Sequence, residues 1–194
     1  MKELPILMAD YPMPLAETAS IFNETLLAQR ILENADRDTR IALLEQQLSD
    51  AAQVIVDIMS RYLFESEVVA RRADTTPSPR ELCQIMLDAQ KRTYGDGLDP
   101  DCLHPYMWAC KSHYYSSGLN FYNFPYAFGE LFGKGVFAQY LKEGEAFVPK
   151  YNQLLRSCGS GTIAEVAASV GIDVRQADFW RASLEVVKND VDTF

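Results

Sequence analysis

Apolar residues recur along this chain at helical spacing, and clusters of proline, glycine, serine and acid interrupt them. The pattern predicts an all-α protein of about seven or eight helices. The first is expected over residues 14–34, with Pro14 suited to an early helical position. Asp36 or Asp38 can cap a second, long helix that reaches about residue 73. Its apolar set, Leu44, Leu48, Ala51, Ile55, Ile58, Tyr62 and Val69, keeps close to a 3.6-residue period. Thr75-Thr76-Pro77-Ser78-Pro79 reads as a linker. Ser78 with Glu81 forms a capping box, and Pro79 takes the first position of a third helix that ends near Tyr94, before Gly95.

Residues 97–105 read as a loop, and 105–115 as either a short helix or an extended piece. Ser116-Ser117-Gly118 is a turn. A helix follows over 125–141, with Gly144 beyond its end. Its Gly129 and Gly133, four apart, predict close backbone packing against a neighbour, since glycine otherwise weakens a helix. Further helices are expected over 148–157, stopped by Gly159, and over 162–170. The latter is capped by Thr162 and Glu165 and stopped by Gly171. Asp173 and Gln176 open a last helix reaching about residue 190. Weak strand signals fall only near Ile6 and Tyr114, and there are no repeats.

Composition narrows the function. The 194 residues, 48% of them apolar, suffice for a single domain over 1–194 with a sizeable core. A net charge of −9, with no basic stripe, argues against nucleic acid as a partner. The short apolar patch at residues 4–9 is broken by acid and prolines, so it is neither a signal peptide nor a spanning helix, and no membrane role is expected. Cys83, Cys102, Cys110 and Cys158 are scattered without a C-x-x-C. They read as buried free thiols in a reducing, cytoplasmic setting.

Two acids stand out. Glu17 and Glu24 are seven residues apart, which brings them within about 20° of each other around a helix. The same face carries Ile21, Leu27, Ala28 and Ile31, so both carboxylates are expected within an apolar stripe. There they need a metal, a histidine or an arginine, or form a paired structural acid.

The words around them, Tyr11-Pro12-Met13-Pro14-Leu15-Ala16-Glu17-Thr18-Ala19-Ser20-Ile21-Phe22-Asn23-Glu24, resemble the segment that follows the H-E-x-x-H helix in oligoendopeptidase F, a thimet-oligopeptidase-like zinc metallopeptidase. Arg61-Tyr62-Leu63-Phe64-Glu65 and Lys91-Arg92-Thr93-Tyr94-Gly95-Asp96 resemble further landmarks of that family. His113-Tyr114-Tyr115, followed by Phe121-Tyr122-Asn123-Phe124-Pro125-Tyr126, resembles its histidine-then-tyrosines signature. The resemblance implies a helical peptidase domain that cleaves short peptides with zinc. In it Glu17 would be a zinc ligand, and Glu24 would orient a zinc-bound histidine. His113, Tyr122 and Tyr126 would bind substrate and stabilise the oxyanion. Pro125 breaks any simple helix between the two tyrosines, so their hydroxyls need not share a face.

One part of the pattern is missing. The chain has two histidines, His104 and His113, and no H-E-x-x-H. The helix bearing that motif is expected just upstream of Met1, which makes the chain the C-terminal portion of a catalytic domain. Two histidine ligands and the general-base glutamate are then absent, so zinc should not bind tightly and the chain alone should be inactive. Helices deprived of that half should expose apolar surface, which predicts self-association or a complementing chain that carries H-E-x-x-H. The competing reading is a non-catalytic helical module for peptide binding or subunit interaction. No G-x-S-x-G is present, Lys134 lacks the rest of a phosphate loop, Arg71-Arg72-Ala73-Asp74 reads as a solvated helix end, and His104 as an ordinary loop residue.

Overall fold

The computed structural model describes Asp10 and residues 12–194, which are helices and turns with no strand among them. Tyr11, the patch at 4–9 and the strand signal near Ile6 lie outside the described residues. Helix α1 (Met13–Ala16) is a single turn, and Glu17 both ends it and serves as the N-cap of α2 (Thr18–Leu32). Helix α3 (Arg37–Ala52) passes through a π-turn, Gln53–Asp57, into α4 (Ile58–Arg72). Then come α5 (Pro79–Tyr94), α6 (Phe124–Glu143), α7 (Val148–Arg156), α8 (Ile163–Ala168) and α9 (Ala177–Thr193).

Local chemistry explains the starts of α3, α5 and α8. The Thr39 N–H donates to Asp36 Oδ1 at 2.8 Å, so Asp36 caps α3. Both predicted capping boxes form. The Ser78 N–H donates to Glu81 Oε2 at 2.8 Å, and the Thr162 N–H to Glu165 Oε2 at 2.9 Å. The segment 105–115 settles as two 3-10 turns, Met107–Cys110 and Ser112–Tyr115, which replaces the strand signal near Tyr114.

The chain divides into two compact units. In the first, formed by the residues up to Ser49 and by Phe128–Phe194, one apolar core joins Leu15, Phe22, Phe132, Phe137, Phe147 and Phe179. Each such side chain contributes about 1.5–3 kcal/mol on burial. Phe22 stacks on Tyr151 with ring centroids 4.2 Å apart. The glycines of α6 admit α2 closely: a Cβ at Gly133 would lie 2.6 Å from Ile21 Cγ2. Lys134 is buried and ion-paired with Glu130 at 3.4 Å, which accounts for it as a structural charge.

The buried face of α2 is Thr18, Phe22, Thr25, Ala28 and Leu32. This corrects the expected stripe. Glu17 and Glu24 are exposed, as are Leu27 and Ile31, and of the face that was expected inside only Ala28 is buried. Phe22 decides the rotation, because it is the largest apolar side chain on the helix. Thr25 follows at low cost, because it returns its hydroxyl to the Ile21 carbonyl at 2.7 Å.

The second unit comprises Asp50–Ala127. Helices α4 and α5 close over Phe64, Ile85, Met86 and Ala89, with Val68, Leu82, Trp108 and Tyr114 packed around them. Tyr62 and Val69 were expected inside but are exposed. The π-turn interrupts the 3.6-residue period on which that expectation rests. The loop after α5 is held by Gln90, which is buried. Its Nε2 donates to the His104 carbonyl at 2.9 Å, and its Oε1 accepts from the His104 N–H at 3.1 Å. Two of the four free cysteines, Cys102 and Cys110, are exposed rather than buried; Cys158 is buried and Cys83 half-buried.

Candidate functional site

The second unit brings together three of the residues singled out in the sequence. His113 stands on the second 3-10 turn, and Tyr122 and Tyr126 flank the start of α6. The His113 and Tyr122 rings are 6.0 Å apart between centroids. The Tyr126 hydroxyl donates to that of Tyr122 at 3.4 Å, and their rings meet edge to face at 5.8 Å. The hydroxyls therefore do converge. Pro125 sits in the first turn of α6, where its missing N–H costs nothing, and does not separate them.

All three line a cavity of about 360 Å³, together with Arg61, Lys111 and Asn123. A second cavity of about 700 Å³ shares His113 and is walled by Val68, Tyr114 and Leu119, with Glu65 and Arg72 as its charged groups. Burial, and then the positive charges of Arg61 and Lys111, hold the His113 imidazole below its ordinary pKa. Burial likewise raises the Tyr114 phenol. A neutral donor ring, two phenols and two cations around one space suit a group on which negative charge develops.

Behind His113 runs a polar chain that the sequence reading assigned no role. Asp57, in the π-turn, accepts from Arg61 one helical turn later, and the Tyr94 hydroxyl donates to its other oxygen at 3.0 Å. Arg61 donates through a second nitrogen to Asn123 Oδ1 at 2.9 Å, and Asn123 Nδ2 lies 2.7 Å from His113 Nε2. Asp57, Arg61 and Asn123 are all buried. The segment bearing Asn123 is fixed by Glu65, whose Oε1 accepts from the Phe121 N–H at 3.0 Å where Phe121 takes a left-handed φ of 53°. Arg61, Glu65 and Tyr94 fall in landmarks quoted from the sequence; Asp57 could have been noticed from its i,i+4 spacing to Arg61.

Glu17 and Glu24 belong to the first unit. Ser20 Oγ donates to Glu17 Oε2 at 2.9 Å and so orients the carboxylate. The backbone of Glu17 is packed against bare helix: a Cβ at Gly129 would lie 3.0 Å from the Glu17 Cβ and 3.7 Å from the Pro14 carbonyl oxygen. Glu24 is exposed two turns further on. Among the described residues no three His, Cys, Asp or Glu side chains group so as to hold a metal ion. The described residues therefore do not by themselves assemble a complete metal site.

Among the described residues no helix is long and apolar enough to cross a membrane. The chain is 26% identical over 193 residues to oligopeptidase PepF of Bacillus subtilis, covering 98% of this chain and 28% of that protein. It is 29% identical over 188 residues to the oligoendopeptidase F homolog of Lactococcus lactis subsp. lactis, covering 95% of this chain and 31% of the relative. The chain thus spans about a third of the length of the curated relatives it matches. A crystal structure of a Chlamydophila abortus protein described as a peptidase superposes with a TM-score of 0.88 at 24% identity, over 99% of this chain and 32% of the other, and shares its helical fold. The model of peptidase family M3 matches residues 2–186, and the chain belongs to that family.

Proposed function

We propose that this chain is the C-terminal portion of a zinc-dependent oligoendopeptidase that cleaves short peptides, and that it supplies the groups which bind the scissile carbonyl. The observation that carries the reading is the convergence of His113, Tyr122 and Tyr126 on one cavity beside Arg61 and Lys111. Zinc, when bound, would polarise the peptide carbonyl and activate a water. Glu17 would be its one ligand from this chain, and Glu24 would support the site from the next turns of α2. As the carbonyl carbon becomes tetrahedral its oxygen gains negative charge. The phenols of Tyr122 and Tyr126 and the His113 ring would each donate a hydrogen bond to it, more strongly in the transition state than to the uncharged carbonyl.

The 194 residues contain no H-E-x-x-H, so the chain alone is proposed to be inactive and to bind zinc weakly. It would work with a polypeptide that carries that motif. The cytoplasm is the proposed setting, where the exposed thiols Cys102 and Cys110 would stay reduced. A second reading, a non-catalytic interaction module that self-associates or docks a partner, is favoured by one feature. Leu27 and Ile31 of α2 are 61% and 41% exposed next to Glu24.

The test is hydrolysis of a fluorogenic peptide with added zinc, by the chain alone and by the chain mixed with a polypeptide bearing an H-E-x-x-H helix, alongside zinc content after dialysis. No cleavage and near-zero zinc alone, with chelator-sensitive cleavage in the mixture, is the expected result. A chelator-sensitive rate from the chain alone would overturn the inactivity. A mixture that binds peptide without cleaving it would favour the interaction module.

A further inference from the structure

The geometry points to a positioning role for Asp57, Arg61 and Asn123: they hold His113 as the neutral tautomer protonated on Nδ1. This deepens the proposed function by naming the hydrogen that the ring donates, and for that consequence it rests on that reading.

Donors and acceptors fix the order of this chain of side chains. An ionised carboxylate only accepts and a guanidinium only donates, so the polarity of the chain is set at its buried end, where Asp57 meets Arg61. Arg61 must then donate to whichever Asn123 atom faces it, 2.9 Å away, and that atom is the amide oxygen. The amide nitrogen is left facing His113 Nε2 at 2.7 Å. With the amide reversed, two donors would meet at Arg61. Nε2 must therefore be the acceptor, without a hydrogen, and a neutral imidazole without one there carries it on Nδ1. Burial of Asp57, Arg61 and Asn123 keeps water from relaxing the order, because a reversed or missing bond would strand a polar group.

Charge works in the same direction. Protonating the ring would set Nε2–H against the Asn123 amide hydrogens and add a cation near Arg61 and Lys111, the charged groups that act on His113. Nδ1–H is then the only nitrogen-bound hydrogen the ring can give to a substrate oxygen.

The test is a long-range ¹H–¹⁵N NMR spectrum of the full chain labelled at histidine, with His104→Gln to assign the two rings. Expected for His113 is a pyridine-type Nε2 and a pyrrole-type Nδ1, favoured by about tenfold, the effect of a single well-made hydrogen bond. Asn123→Asp is nearly isosteric and replaces the donor by an acceptor. In that variant the hydrogen should move to Nε2 and the ring should bind a proton at higher pH. A wild-type spectrum dominated by Nε2–H would overturn the proposal, as would a folded Asn123→Asp variant with unchanged nitrogen shifts. Should that variant fail to fold, the wild-type spectrum decides alone. Neither measurement requires hydrolysis. A chain that never cleaves a peptide under any complementation sinks the oligoendopeptidase reading and leaves the tautomer result standing.

Discussion

The Tyr126 hydroxyl donates to the Tyr122 hydroxyl across 3.4 Å, and both phenols stay accessible in one cavity. A long bond between two neutral groups is easily exchanged for bonds to a charged oxygen. Tyr122→Phe and Tyr126→Phe should each lower kcat about 10²–10³-fold in the complemented enzyme, the range for loss of one oxyanion donor, with little change in KM. Steady-state kinetics on one peptide would check this. A variant that raised KM alone would place its phenol in ground-state binding instead.

The buried pair of Asp57 and Arg61 should matter for stability when it is broken. Asp57→Ala leaves the guanidinium buried with Asn123 as its remaining partner and frees the Tyr94 hydroxyl, whose pKa burial, and then the neighbouring carboxylate, push up to about 12. Loss of about 3–5 kcal/mol is expected in urea unfolding. Replacing both residues by apolar ones of similar volume should cost much less, which separates desolvation from attraction.

His113 is held below its ordinary pKa of 6.5 in the folded chain. Below 6.5 the unfolded chain therefore binds more protons than the folded one, and stability falls as pH drops from 6.5 through the lowered value. His113→Gln should flatten this part of the stability curve. Glu65 and Asp190 act with the opposite sign, because burial raises both carboxyls. The folded state retains their protons above the usual carboxylate range, so their contribution is present at lower pH and is lost as pH rises through the raised values. Chemical denaturation of the wild type, His113→Gln and Glu65→Gln across pH would separate the slopes.

Gly133→Ala and Gly129→Ala should differ in kind. At 133 the new methyl would meet Ile21 at 2.6 Å, so overpacking of about 1–3 kcal/mol outweighs the gain in helix propensity of about 1 kcal/mol. At 129 the contact with the Glu17 Cβ is 3.0 Å, which the neighbour can relieve by a few tenths of an ångström. Stability should then change by less than about 1 kcal/mol, while the displaced carboxylate lowers zinc affinity in the complemented enzyme. Thermal unfolding and zinc titration of both variants would show the split.

What could be read in the sequence was local. Ser78 with Glu81 and Thr162 with Glu165 satisfy one another within a single turn, so their spacing suffices to find them. Gly129 and Gly133 announced a close approach because helices otherwise avoid glycine. The orientation of Glu17 and Glu24 was not legible. Both lie on one side of α2 as their spacing requires, but which side faces inward depends on Phe22 meeting Tyr151, a contact far along the chain. Tyr62 and Val69 turned outward past a π-turn that leaves no pattern in residue type. The convergence of Arg61, Asn123 and His113 joins separate elements, and no spacing rule reaches that far.

Gln90 gives the second unit something it otherwise lacks. By accepting from and donating to the two backbone groups of His104, one side chain does for that residue what an adjacent strand would do in a sheet. The stretch between Gly95 and His104 is thereby closed at its far end as well as at the helix. Its length is decoupled from the position of His113, and insertions there would lengthen an exposed bow without disturbing the turns that carry the ring. Within a helical protein this marks where evolution, or an engineer, could add a loop apart from the residues that line the His113 cavity.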